Sequence, residues 1–274
     1  MNEASPSVSV VIITRNEASR IRACLDSVRW AAEVIVVDQF SQDGTPDICR
    51  EFGARVYQRE LTRFGEQKQF AVDRSTGEWI FNLDADERVP PGLRDEILEA
   101  IASGRGEGVA VHRPGAFLGQ TFAYRGVFTA PLVRGFRRDC GRFTNSHVDE
   151  EIVVQGRVLT LKTPLVHSEA YSSLGVYFDK FNRYTSLTAQ DMREKGVVLR
   201  PRNYAWYFFL KPLLVFFQRY ILKRGFRQGL PGFLWYVFRA MSYFVSYAKL
   251  WEMQAGAREE PPGPKGKPGE PPIP

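Results

Sequence analysis

Residues 79–88, Trp-Ile-Phe-Asn-Leu-Asp-Ala-Asp-Glu-Arg, form an apolar run that ends abruptly in Asp84, Asp86 and Glu87. A buried strand that delivers alternate carboxylates at its carboxyl end is unfavourable on its own, because the charges repel and resist leaving water. A hard divalent cation relieves both costs. Magnesium and manganese take one or two carboxylates and complete their shells with phosphate oxygens. A second run of the same shape lies upstream: Val34-Ile-Val-Val-Asp38, followed by Gln-Phe-Ser41-Gln-Asp43-Gly44-Thr45. Two strands that aim acids at one sheet edge imply a site for a nucleotide diphosphate and its metal.

The surrounding pattern supplies such a sheet. Residues 7–14 are nearly all β-branched or apolar, as in a strand covered on both faces. Residues 17–31 repeat Ile21, Cys24, Leu25 and Val28 at helical spacing. A strand is expected at 33–38, and a helix that starts with Thr45 as cap and Pro46 as first residue and stops at Gly53. A third strand at 54–58, a helix at 65–76 and a fourth strand at 78–83 complete an alternation typical of an open α/β sheet. Ligands of such sheets lie beyond the carboxyl ends of the strands, where Thr14, Asp38 and Asp84 fall. Pro91 starts a further helix reaching about Ser103. Residues 108–167 then alternate short β-rich pieces with Gly and polar turns and are expected to form the second wall of a cleft. An amphipathic helix is expected from Ser173 to about Lys195.

The remainder differs in composition. Twelve of the sixteen residues from Tyr204 to Arg219 are aromatic or aliphatic. From Lys211 to Lys249 the charged residues are Lys211, Arg219, Lys223, Arg224, Arg227, Arg239 and Lys249, with no acid among them. Such a segment suits an anionic membrane surface, and no nucleic-acid motif accompanies it. Its longest charge-free stretch, Gln228–Phe238, has eleven residues, short of the ~20 that span a bilayer. Helices lying in the membrane interface fit this pattern; the alternative is a helical cap packed on the rest of the chain. Residues 255–274 contain seven Pro and four Gly and are expected to be a disordered tail. The chain of 274 residues divides by these criteria into 1–104, 105–200, 201–254 and 255–274. Its three cysteines have no metal-ligand spacing, and Cys24 and Cys49 fall on helices as core residues. The first residues contain no signal region, so the expected location is the cytoplasm, peripheral on the inner face of the cytoplasmic membrane.

Three motifs in order, Thr14-Arg-Asn16-Glu17, Asp38-x-x-Ser41-x-Asp43-Gly44-Thr45 and Leu-Asp84-Ala-Asp86-Glu87, resemble those of family 2 glycosyltransferases, which share the GT-A fold. That fold is a Rossmann-like, mostly parallel α/β sheet, here with a mixed β acceptor half and C-terminal amphipathic helices. Further residues resemble the lipopolysaccharide-core glucosyltransferases of that family: Phe64-Gly65-x-Gln67-Lys68, Trp79, Val148-x-Glu150, Asn182-Arg-Tyr184, Arg224-Gly-Phe226 and Lys249-Leu-Trp-Glu252. The chain departs from the family in having Gln39-Phe40 where Ser-Gly or Asp-Gly is usual. It also has Val148-Asp149-Glu150, with His147 ahead of it, where Val-His-Glu is expected.

The resemblance implies an inverting, metal-dependent transfer of a hexose from a nucleotide sugar, UDP-glucose foremost, to a lipid-linked saccharide such as lipopolysaccharide core. Thr14, Asn16, Glu17, Asp38, Lys68 and Asp84 would contact the nucleotide sugar, and Asp86 would hold Mg2+ or Mn2+. The attacking hydroxyl needs a base, and the acidic group at 149–151 offers Glu150, with Asp149 next. Transfer to a polyprenyl phosphate is an alternative acceptor chemistry. A non-catalytic membrane-surface binding module is another, disfavoured because it has no use for the acidic motifs. Simpler roles compete at several positions: Asp43 as a turn residue, Glu87 and Arg88 as a surface pair, Lys68 as a solvated helix residue, and His112 and His167 as structural residues.

Overall fold

A computed structural model describes residues 7–60, 62–122, 130–145, 150–167 and 173–259. The β-branched run becomes β1 (Val8–Thr14), and β2 (Glu33–Asp38), β3 (Arg55–Gln58) and β4 (Trp79–Asn82) follow. Helices α1 (Ala18–Asp26), α2 (Thr45–Glu51), α3 (Phe64–Val72) and α4 (Pro91–Ala102) alternate with them. Two of these helices stop earlier than the apolar spacing suggested, α1 at Asp26 and α3 at Val72. At the start of α2 the cap is Gly44, at φ 77°, with Thr45 already helical. A left-handed residue turns the chain there at no steric cost to glycine.

The short strands are β5 (Glu87–Arg88), β6 (Gly108–Val111), β7 (Gly115–Phe117), β8 (Gln120–Phe122), β9 (Leu132–Arg137), β10 (Gly141–Phe143), β11 (Ile152–Val154), β12 (Val158–Thr160) and β13 (Val166–His167). Seven strands form the main sheet in the order β12-β6-β9-β4-β1-β2-β3. All pairings are parallel except those of β9, which runs antiparallel between β4 and β6. One face carries α1, α2 and α4, with Val10, Ile12, Phe81, Leu25 and Ile97 in its core. The other carries α3 and the β10–β11 hairpin over Val11, Ile35, Ile80 and Phe136. Both faces are covered, which explains why β1, β2 and β4 read as continuous rather than alternating apolar runs.

Beyond the sheet, α5 (Leu174–Glu194) begins at Ser173, whose hydroxyl accepts from the Val176 amide at 3.3 Å. The aromatic segment is mostly helical but irregular, and it breaks at Lys223–Arg224, where Arg224 has φ 57°. Residues 205–210 and 217–222 wind as π-helix on either side of α6 (Lys211–Phe216). Pro212 in the first turn of α6 lacks an amide and crowds the preceding turn, a local reason for the wider winding. The last helix, α7 (Gly229–Glu259), continues through the first five residues expected to be tail; the rest of that tail lies outside the described residues. α7 packs on α5 and on the β7–β8 hairpin through Trp235, Tyr236, Tyr247 and Leu250. Among the described residues no helix is long and apolar enough to cross a membrane.

Candidate active site

The register of the central strands brings the first two motifs together. Thr14 lies beside Asp38 in the β1–β2 ladder, and its hydroxyl donates to Asp38 Oδ1 at 2.9 Å. The Ser41 amide donates to Asp38 Oδ2 at 2.9 Å, and the Ser41 hydroxyl to Oδ1. Asp38 is thus fully buried with both oxygens engaged. Asn16 bridges the same turn from β1: its amide donates to Ser41 Oγ, and its Oδ1 accepts from the Gln42 amide, both at 2.8 Å. Asp43 serves the turn, accepting from the Ala18 and Thr45 amides at 3.0 and 3.2 Å. Two side chains in this turn sit in the left-handed region, Asn16 at φ 55° and Phe40 at φ 52°. Asparagine tolerates that region, whereas an aromatic there is strained.

The acidic motif at the end of β4 is a turn, not a continued strand: the Glu87 amide donates back to the Asp84 carbonyl at 2.9 Å. Burial alone would raise the pKa of Asp84, but Lys68, Arg134 and Arg113 outweigh it and hold the carboxyl well below its usual range. Their nitrogens lie 3.0, 3.3 and 3.2 Å from its oxygens. Lys68 is buried, which excludes the competing role of a solvated helix residue; it also reaches Glu150 Oε1 at 2.6 Å. Burial would lower the ammonium's pKa, but Asp84 and Glu150 keep it raised. Glu87 does not pair with Arg88 at the surface. It is fully buried, with Arg134 at 2.6 Å and Arg113 at 3.2 Å, and it accepts from the Asp84 amide at 3.0 Å. Burial raises its pKa, and the neighbouring Asp84 charge adds to that against the arginines.

Asp86 has a different neighbourhood. β13 pairs antiparallel with β5, His167 opposite Glu87, and this places His167 Nε2 3.4 Å from Asp86 Oδ2. Burial would raise the pKa of Asp86, yet the His167 contact leaves it lowered. Glu17 lies close enough to Asp86 to be affected by it: burial, then the Asp86 charge, raises the Glu17 carboxyl, although Arg20 pairs with it at 3.2 Å. The other ring nitrogen, His167 Nδ1, is buried without a hydrogen-bond partner. A carboxylate and an imidazole beside each other suit a divalent ion. No group of three or more potential metal-ligating residues occurs among the described residues. Asp86 and His167 fit such an ion when a diphosphate supplies the remaining oxygens, as magnesium and manganese commonly require.

The sheet therefore gathers Thr14, Asn16, Glu17, Asp38, Lys68, Asp84, Asp86 and Glu150 along one edge. Asp149 lies outside the described residues. Sequence reasoning missed Arg113, Arg134 and the contact of His167 with Asp86. The signal for His167 was present: Leu165-Val-His167 is another apolar run ending in a polar residue, like those ending at Asp38 and Asp84. Arg134 in the middle of an apolar strand was a signal too, but only the β4–β9 pairing identifies its partner.

A mostly parallel sheet with one antiparallel strand and acids collected at its carboxyl edge is the arrangement of a GT-A glycosyltransferase. The profile of the family described as Glycosyl transferase family 2 matches residues 9–152, more than half of the chain, and the chain belongs to that family. It is 31% identical over 262 residues to the lipopolysaccharide core biosynthesis glycosyltransferase LpsC of Rhizobium meliloti (strain 1021), covering 90% of this chain and 93% of that protein. An uncharacterized glycosyltransferase of Rickettsia felis is 29% identical over 89% of each chain. Among solved structures, the mannosyltransferase PcManGT from Pyrobaculum calidifontis in complex with GDP-Man and Mn2+ is similar with a TM-score of 0.47, at 19% identity over 93% of this chain and 81% of that one.

Proposed function

We propose that this glycosyltransferase transfers a hexose from a nucleotide sugar, UDP-glucose foremost, to a lipid-anchored glycan such as lipopolysaccharide core, with inversion at the anomeric carbon. The observation that carries the reading is the gathering of the three motifs at the carboxyl edge of the sheet, with Asp86 beside His167 Nε2 at 3.4 Å and Asp84 held by Lys68, Arg113 and Arg134. Asp86 and His167 are the residues that would hold Mg2+ or Mn2+, which when bound supplies positive charge for the leaving diphosphate.

This chain's own groups supply the rest. Glu150 takes the proton of the attacking hydroxyl on Oε2, while Lys68 holds Oε1 and ties the base to Asp84. Arg113, less buried than Arg134, has one amino group on Asp84 and Glu87, leaving its outer edge to meet donor oxygens. Asp38 fixes the turn that presents Asn16 and Gln39 to the nucleoside, and its Oδ2, which accepts one described hydrogen bond, keeps acceptor capacity for the donor. The acceptor class is supported by the similarity to LpsC.

Peripheral attachment to an anionic leaflet goes with this acceptor. Phe209, Leu213, Leu222 and Leu230 are each more than 60% exposed, and Arg219, Lys223, Arg224 and Arg227 lie in the same segment. Exposed apolar side chains interleaved with cations, in a stretch of sequence without acids, suit a lipid interface. The test of the main reading is a panel of nucleotide sugars assayed for donor hydrolysis and transfer with and without manganese. Turnover of one or two donors supports it; hydrolysis of none, with a folded protein, overturns it.

A further inference from the structure

Two of the sequence motifs set aside above, Asn182-Arg-Tyr184 and Lys249-Leu-Trp-Glu252, meet at one junction between α5 and α7. The Lys249 ammonium lies 2.7 Å from both the Asn182 carbonyl and Asn182 Oδ1, 2.9 Å from Thr185 Oγ1 and 2.8 Å from Ser186 Oγ. All four acceptors are neutral, and Lys249 has no ion pair among the described residues. Burial lowers its pKa, with Glu252 opposing. An apolar side chain would fill such a place without taking a charge from water. Directional, charge-assisted hydrogen bonds give something an apolar contact does not, namely a fixed helix register.

The register matters because α5 has two working faces. Asn182, Thr185, Ser186 and Ala189 share the face toward α7, and Thr185 and Ala189 are buried. Lys180, Arg183 and Tyr184, at i, i+3 and i+4, share another. On that second face Arg183 Nη2 lies 3.5 Å from Gln39 Oε1, beside the Asp38 turn, and Tyr184 stacks on Phe64 at 6.3 Å. Lys180 is within electrostatic reach of both Glu17 and Asp86. Successive residues of a helix are about 100° apart, so a slip of one position would carry Arg183 and Lys180 away from the cleft.

We infer that Lys249 is a positioning residue: by holding the Asn182 turn it sets the rotation of α5 that presents Arg183, and with it Lys180, to the anionic part of the donor. This rests on the reading of the β1–β2–β4 edge as the donor site. It makes α5 a strut between the donor cleft and the C-terminal helices, and it explains physically why two motifs 67 residues apart occur together.

The test is a double-mutant cycle in the full-length protein, read as UDP affinity by calorimetry in the presence of Mn2+, with thermal unfolding followed in parallel. Lys249→Met and Arg183→Ala are each expected to weaken UDP binding about tenfold, the scale of a lost charged hydrogen bond. The double variant is expected to lose clearly less than the two single losses combined, because Lys249 acts largely through Arg183. Should Lys249→Met unfold, Asn182→Ala removes the side-chain acceptor alone and is expected to give a smaller loss of the same kind. Lowered thermal stability with unchanged UDP affinity would overturn the inference, as would losses that simply add. Wild-type protein that binds neither UDP nor GDP would instead overturn the donor-site reading, and the inference with it.

Discussion

The carboxyl edge of the sheet and the segment from 205 to 233 handle mismatched groups in opposite ways. At the sheet edge, Lys68, Arg113 and Arg134 are opposed within the protein by Asp84, Glu87 and Glu150. In the helical segment, large apolar side chains stand in the open beside cations that face no acid in sequence. A buried charge left alone costs several kcal/mol, so folding itself selects the partners at the edge. An exposed leucine costs the isolated chain little, so a cluster of them points to a partner outside it. The first region bears on the proposed chemistry and the second on the proposed membrane attachment.

The contrast can be broken most severely at Glu150. Glu150→Gln is expected to reduce transfer by ~10²–10⁴-fold while leaving nucleotide affinity nearly unchanged, as for a lost general base. Comparing kcat with UDP affinity checks it; the same pattern in Asp149→Asn instead would move the base by one residue. At Arg134 the expected effect is on stability. Arg134→Met takes from buried Glu87 one of its two described cations, and a cost of about 3–5 kcal/mol is expected in urea unfolding. A loss under ~1 kcal/mol would mean that the cluster rearranges to satisfy Glu87 without it.

The second region is tested by flotation with liposomes. Ending the chain at Arg202 would remove Tyr236, Tyr247 and Leu250 from the core, so full-length point variants are the proper probe. Wild-type protein is expected to float with anionic vesicles and to be released by salt, each Lys or Arg near the surface contributing ~1 kcal/mol. Leu213→Ser with Leu222→Ser is expected to stay in solution with activity on a soluble acceptor intact. Concentration-dependent dimerisation that the same changes abolish, without flotation, would show that a second copy covers this face. The smallest effect is expected at Phe40, the strained and 48% exposed residue after Gln39. Phe40→Gly removes the steric penalty of φ 52° and is expected to raise stability, or leave it unchanged if the added chain entropy offsets the gain, within ~1 kcal/mol. A clear loss of thermal stability would show that the ring contributes to packing.

How much of this was legible beforehand follows the same division. The strands at 8–14, 33–38 and 79–82 and the acids beyond them were readable because burial on both faces writes itself as continuous apolar runs. The ion pairs of Lys68 and Glu87 were not. Each looks like an ordinary surface charge until β9 inserts Arg134 beside β4 and the Glu150 segment folds over α3. That information is long-range and has no local spacing. The contact of His167 with Asp86 was hidden for a related reason: Asp86 lies 81 positions earlier, and the β5–β13 pairing joins them. The junction of Lys249 with Asn182 was visible as two separate motifs but not as one contact.

The central claim, that Asp86 and His167 hold a divalent ion shared with the donor diphosphate, is tested most directly by calorimetry of UDP with and without Mn2+. Wild-type protein is expected to bind UDP far more tightly with manganese than in excess chelator. Asp86→Asn and His167→Ala are each expected to abolish that difference while retaining the wild-type circular dichroism spectrum. UDP affinity and sugar transfer that persist undiminished in chelator, or a manganese dependence that survives Asp86→Asn, would contradict the account.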